Sequence, residues 1–217
     1  SFNRYKNLNK KLFYHVSTDE VYGSTLNSSF DEDTSYDPSS PYSASKASSD
    51  HFVKAYYKTY GTPIIISNCS NNFGPWQYKE KLIPVVIKSI INNQKIPIYG
   101  DGSNIRDWIY IDDHISAINF LLKNGKIGES YCLGSNNELS NIDLIKKICK
   151  ISDDLLKNNF SSFDLVSFVH DRLGHDQRYS IDSTKINSLG WMPKSSFNDS
   201  LTLTIKWYIA NKFWLKN

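Results

Sequence analysis

The chain has 217 residues, 40% hydrophobic and 22% charged, with a net charge of +3. This is ordinary globular usage, which excludes a disordered tail, a collagen-like chain and a coiled coil. A charge this small, with no basic stripe, argues against a nucleic-acid binder. No run approaches the roughly 18 apolar residues that a membrane-spanning helix needs.

Residues 1–12 are polar and basic without an apolar centre, unlike a signal peptide. The three cysteines, Cys69, Cys132 and Cys149, are odd in number and form no CxxC pair. They read as reduced thiols of a cytoplasmic protein. The single methionine is Met192, so the chain is expected to be a fragment, a processed chain or an incomplete gene model.

In chain order, 12–17 (LFYHVS) reads as a short buried strand. Residues 23–40, rich in Ser, Asp, Thr and Pro, read as a loop. From Tyr42 to Tyr60 apolar residues recur at helical spacing, and Gly61 sits where a C-cap glycine belongs. Residues 63–67 (PIIIS) suit a strand buried on both faces. A polar turn is expected over 68–78, a helix over 81–92, a strand at 97–99 and a turn at Asp101–Gly102. A strand at 108–111 precedes a helix opened by Asp112 and Asp113 and running to about Leu122. A strand at 131–134, a helix from near Asn141 and a last helix from 198 to 214 complete the pattern. The aromatic end of that last helix (Trp207, Tyr208, Phe213, Trp214) reads as core packing rather than a membrane anchor. Strands alternating with helices predict an α/β fold with a mostly parallel sheet.

Two clusters carry chemistry. The first, Ser17-Thr18-Asp19-Glu20-Val21-Tyr22-Gly23, directly follows a predicted strand, where open α/β sheets bind ligands. Its adjacent carboxyls could divide into acid and base if their surroundings differ. Taken alone, it could equally be a polar strand-to-loop turn. The second is Tyr42-Ser43-Ala44-Ser45-Lys46, whose Tyr and Lys share a helix face. A free phenol titrates near ~10 and must fall by about three units, roughly 4 kcal/mol, to act as a base at neutral pH. A nearby ammonium favours that change. Tyr-x3-Lys is weak alone but gains specificity about twenty-five residues after the Asp-Glu turn. No histidine spacing suggests a metal site.

At this point the sequence resembles the dTDP-glucose 4,6-dehydratases of the extended short-chain dehydrogenase/reductase family. The segments that carry the resemblance are STDEVYG (17–23), SPYSASKASSDHFVKAYYKTYG (40–61), SNNFGPWQYKEKLIP (70–84), PIYGDGSNIRDWIYIDDH (97–114), NID (141–143), DRLGHDQRYSID (171–182) and LGWMP (189–193). It implies a partial Rossmann-type parallel sheet with a smaller α/β sugar-nucleotide-binding domain. The Rossmann part would be 1–75 with 105–134 returning to it, and the smaller domain 76–104 and 135–217.

The resemblance also implies an activity: dehydration of dTDP-glucose to the 4-keto-6-deoxy sugar nucleotide, with NAD as a transient hydride carrier. Tyr42, assisted by Lys46 and Thr18, would take the C4 hydroxyl proton. Glu20 would remove the C5 proton, and Asp19 would protonate the departing C6 hydroxyl. This paired-carboxyl requirement separates a dehydratase from an epimerase or decarboxylase of the same family, the runner-up readings. A third reading is a catalytically inactive nucleotide-binding fragment. Ser17, Tyr42, Lys46 and Asn72 would touch NAD. Asn71, Lys81, Leu82, Pro97, Tyr99, Arg106, Asn141, Asp171, Arg172 and His175 would touch the sugar nucleotide. For Arg106 a surface salt bridge with Asp107 or Asp101 is the alternative. The full-length protein would be a homodimer.

Two departures stand out. Leu173 occupies a position where the family has Pro, and the chain contains no G-x-x-G-x-x-G. At roughly 30 residues per βα unit, the resemblance leads one to expect about 100 further residues of the family pattern before Ser1. Strand 12–17 is therefore expected to be a hydrophobic edge, and the 217 residues alone are expected to bind NAD poorly and to turn over slowly or not at all.

Overall fold

A computed structural model describes residues 11–171 and 173–215. Its first sheet is wholly parallel. Strand β1 (Phe13–Thr18) pairs with β2 (Ile64–Cys69), and β2 pairs with β6 (Ser130–Leu133). Every residue of β2 is buried, which is why its sequence runs apolar without alternation. β1 is an edge among the described residues, and its Phe13 and Val16 are 40% and 42% exposed.

Helix α1 (Pro41–Tyr60) crosses between β1 and β2. Its start is strongly specified. Ser40 caps the Ser43 amide in a reciprocal capping box, and Pro41 occupies the first turn. Gly61, in the left-handed region at φ 64°, ends it.

A second sheet orders β3 (Asn71–Phe73), β5 (Ile105–Tyr110) and β7 (Glu138–Ser140), with β7 antiparallel. A third pairs β4 (Ile96–Tyr99) with β8 (Val166–Val169). The other helices are α2 (Leu82–Ile91), α3 (Ile111–Asn124), α4 (Asn141–Leu156), α5 (Thr184–Ser188) and α6 (Phe197–Ala210). None is long and apolar enough to cross a membrane.

Three buried clusters hold these layers, the smallest around Val21, Tyr22, Phe30 and Ile181. Of the larger two, the first joins Phe73, Ile87, Trp108, Ile145, Leu201 and Tyr208; the second joins Ile65, Ile109, Leu121, Tyr131 and Trp191. Strand β5 feeds both, because successive side chains leave opposite faces: Trp108 enters the first and Ile109 the second.

The expected elements are found, with corrections. The turn expected over 68–78 begins as strand: β2 runs on to Cys69 and β3 follows at Asn71. Its three residues, NNF, have no apolar pattern and are strand only because β5 pairs with them. β5 starts at Ile105, three residues early, and α3 starts at Ile111. β7, β8 and α5 are short segments that the sequence pattern does not reveal. The last helix stops at Ala210, and a 3-10 turn (Lys212–Leu215) buries Leu215.

Candidate active site

β1 delivers its last two residues, Ser17 and Thr18, into a buried position, and a 3-10 turn, Asp19–Tyr22, follows. Thr18 caps that turn: its Oγ1 accepts from the Glu20 amide at 3.3 Å and donates to Asp19 Oδ1 at 3.2 Å. Gly23 closes it at φ 83°, where a Cβ would lie 2.5 Å from the Asp37 carbonyl oxygen. Only glycine fits.

The two adjacent carboxyls sit in different surroundings. Asp19 is 2% exposed, and its Oδ2 has no hydrogen-bond partner. Burial, reinforced by the Glu20 carboxylate, pushes Asp19 up to about 8, against weaker pulls from the Thr18 hydroxyl and Arg106. Asp19 therefore keeps its proton at neutral pH. Glu20 is only half-buried.

Tyr42 and Lys46 stand one turn apart on α1. Tyr42 is 56% exposed. Burial of its remainder, then Glu20, Cys69 and Asp19, hold it above its ordinary value. The Lys46 ammonium is directed at the β1 backbone, donating to Val16 O at 2.9 Å.

Sequence reasoning missed Asp50, one turn beyond Lys46. Its buried carboxylate accepts from His15, Ser17, Tyr36 and Asn68. The available signal was an acidic residue on the same helix stripe as Tyr42 and Lys46, opposite the alternating His15 and Ser17.

At the end of β2, Cys69 Sγ donates to Ser17 O at 3.3 Å, and Asn72 Nδ2 donates to Cys69 Sγ at 3.3 Å. Burial, then the Asp19 charge, pushes the Cys69 thiol up to about 12. The side-chain oxygens of Asn71, Asn72 and Gln77 are buried without hydrogen-bond partners. Buried acceptors of this kind suit donors brought by a ligand, such as a carboxamide or hydroxyl. Gln77, also missed, donates from Nε2 to Asn72 O at 2.9 Å.

Arg106 is buried on β5, and its charge reaches Asp19 and Glu20. Its guanidinium donates to the carbonyls of Ile105, Gln177 and Asp176 and stacks 4.1 Å from the Tyr179 ring centroid. The surface salt bridge with Asp107 or Asp101 is thereby corrected. Asp107 instead accepts from the Ser135 and Asn137 amides, and Asp101 from the Ser103 amide.

The structure thus gathers Ser17, Thr18, Asp19, Glu20, Tyr42, Lys46, Asn72 and Arg106. Asn71 sits beside Asn72 on β3, and the other predicted residues lie on a second stretch. Lys81 precedes α2, and Leu82 packs partly buried against the first core. Pro97 and Tyr99 are on β4. Asn141 opens α4, its amide donating to Asn104 O at 2.9 Å. The Asp171 carboxylate lies against Gly100, beside Tyr99, and meets His175 Nδ1 at 2.7 Å. Arg172 lies outside the described residues.

Comparison with known proteins places most of the chain beside one family. The GDP-mannose 4,6 dehydratase family model matches residues 2–204. The chain is 50% identical, over 95% of its length, to a probable dTDP-glucose 4,6-dehydratase of Sinorhizobium fredii, of which it covers 60%. It is similar in structure to DesIV, a dTDP-glucose 4,6-dehydratase from Streptomyces venezuelae with NAD and TYD bound. That match has a TM-score of 0.88 and 43% identity, and covers 94% of this chain and 62% of DesIV. A UDP-glucuronic acid 4-epimerase from Bacillus cereus, in complex with UDP-glucuronic acid and NAD, gives a TM-score of 0.84 at 28% identity, over 92% of this chain and 62% of the epimerase. The chain spans about 60% of the length of the curated relatives it matches.

Proposed function

This chain belongs to the GDP-mannose 4,6-dehydratase family, and we propose that it carries the reaction centre of a dTDP-glucose 4,6-dehydratase. The observation that supports this reading best is Asp19. It is a buried, protonated carboxyl whose Oδ2 is unpartnered, next to a second carboxyl and a tyrosine. An elimination of water needs a proton donor for the departing hydroxyl, whereas an epimerisation at C4 does not.

In this reading Tyr42 accepts the proton of the sugar C4 hydroxyl. Its phenol lies above its ordinary value without ligands, so substrate binding and a cationic ring must lower it. Lys46, anchored on Val16 O, retains further N–H donors that can face a ribose hydroxyl. Once C4 is a ketone, the C5 proton is acidic. Glu20 removes it and later returns it, and Asp19 gives its proton to the C6 hydroxyl, which leaves as water. Bound NAD would supply reversible hydride transfer at the sugar.

The unpartnered Asn72 oxygen and the exposed Tyr42–Lys46 face fit the nicotinamide-ribose end of NAD. The sequence contains no G-x-x-G-x-x-G to cradle the pyrophosphate. Affinity of these 217 residues for NAD should therefore be low. The stretch from Lys81 and Leu82 through Pro97, Tyr99 and Asn141 to Asp171, Arg172 and His175 is read as the binding region for the nucleoside diphosphate, with Arg106 beside it. The cluster around Ile65, Ile109 and Leu121 is read as the core of the Rossmann part, and that around Ile87, Ile145 and Leu201 as the core of the smaller domain. Exposed Phe52, Tyr56 and Tyr60 on α1 are read as a homodimer face.

The test is a single-turnover experiment at excess protein and saturating NAD, followed by NMR of the sugar. Formation of the 4-keto-6-deoxy product is expected, and its loss on Asp19→Asn. A chain that binds dTDP but forms no product would leave a nucleotide-binding module.

A further inference from the structure

Asp50 is fully buried, on α1, one turn beyond Lys46 and two beyond Tyr42. Such a carboxylate is costly to bury unless hydrogen bonds replace its water. Here they do. Oδ2 accepts from Ser17 Oγ at 2.8 Å, Tyr36 Oη at 2.9 Å and Asn68 Nδ2 at 3.2 Å, and Oδ1 lies 2.9 Å from His15 Nε2. The donors come from β1, from the 23–40 loop and from β2. Burial raises this carboxyl, but the bonds from His15, Ser17 and Tyr36 outweigh it and hold Asp50 below the usual range, so it is ionised.

The arrangement fixes one register. His15 and Ser17 leave the same face of β1, as alternate strand residues must. The carbonyl between them, Val16 O, accepts from Lys46 Nζ. Three consecutive residues of β1 are therefore tied to two residues one turn apart on α1. A slip of α1 by one residue, about 1.5 Å, would break every one of these bonds. Displacements near 1 Å can cost a reaction centre about 10²-fold in rate. Thr18, Asp19 and Glu20 follow Ser17 directly.

We propose that Asp50 is the positioning residue of this centre, fastening α1 to β1 so that Tyr42 and Lys46 face the Thr18–Glu20 turn. The proposal rests on the reading of those five residues as the reaction centre. It acts through Ser17, His15 and the helix register rather than by touching substrate.

Amide hydrogen exchange of the whole chain, followed by NMR, tests it. Asp50→Asn keeps the shape but turns an acceptor into a donor facing donors. Exchange should quicken about tenfold over residues 16–20, while Ile148 and Ile205 in the distant core are unchanged. Ser17→Ala and Tyr36→Phe, which each delete one donor, should give a smaller effect in the same place and serve if Asp50→Asn does not fold. In turnover of dTDP-glucose, Asp50→Asn should lower kcat about 10²-fold with KM within twofold. Exchange that rises equally everywhere, or not at all over 16–20, overturns the proposal. A wild-type chain without turnover counts against the dehydratase reading alone, because the exchange pattern still decides the role of Asp50.

Discussion

The Thr18 hydroxyl donates to Asp19 Oδ1, which leaves the proton of a neutral Asp19 on the unpartnered Oδ2. The turn thus presents a proton donor at the end of β1, and holding it has a cost. Asp19 is raised to about 8, whereas an unfolded Asp titrates near ~4. Between those values the folded chain binds a proton that the unfolded chain does not, so this group makes stability fall as pH rises through that window. Asp19→Asn removes the penalty. Chemical denaturation should show the variant more stable by roughly 2–4 kcal/mol at pH 7, with the gap closing below pH ~4. A gap that is constant with pH would mean that Asp19 is ionised in the fold.

The same turn depends on Gly23. Its φ of 83° and ψ of −153° lie in a region that only glycine visits freely, and a Cβ would meet the backbone of Asp37 at 2.5 Å. Backbone cannot yield as a side-chain tip can. Gly23→Ala should destabilise the chain by roughly 2–4 kcal/mol in urea unfolding. It should also cost more activity than stability alone explains, since the Asp37 amide bonds back to Val21 inside the turn.

Much of this centre was legible in the sequence because it is built from local patterns. Tyr42 and Lys46 share a helix face by spacing alone, and Ser40, Pro41 and Gly61 mark the ends of that helix. The Asp19–Glu20 turn is announced by the apolar strand before it. Asp50 was not legible, since its partners lie 35, 33, 14 and 18 residues away and only the folded crossing brings them together. β3 and β7 stayed hidden for the same reason: three polar or mixed residues become strand only against β5. For Arg106 the sequence neighbours offer carboxylates, whereas the fold supplies carbonyls from a segment some seventy residues away.

Tyr42→Phe should separate chemistry from folding. The residue is more than half exposed, so loss of its hydroxyl should change stability by under about 0.5 kcal/mol. Removal of a general base costs about 10²–10⁴-fold in rate. Lys46→Met should lower both, because its ammonium also secures Val16 O. Rates of product formation, set beside thermal midpoints for both variants, check this. Equal loss of stability in the two would contradict the division.

Arg106 links the turn to the 176–179 segment and should reveal itself through Asp19. Its guanidinium holds the carbonyls of Asp176 and Gln177 and stacks on Tyr179, geometry that a lysine cannot reproduce. Arg106→Lys should therefore destabilise by about 2 kcal/mol, from carbonyls left poorly satisfied. Arg106→Met removes the charge as well. Because that charge pulls Asp19 downward, its loss should raise Asp19 above about 8. The fall of stability with pH attributed to Asp19 would then continue to higher pH than in the wild type, and Asp19→Asn placed on top should abolish the difference. Denaturation of the four proteins (wild type, each single variant and the double) between pH 4 and 10 reads this coupling directly. An Asp19 limb that ends at the same pH with and without Arg106 would show that the guanidinium spends its charge wholly on the carbonyls.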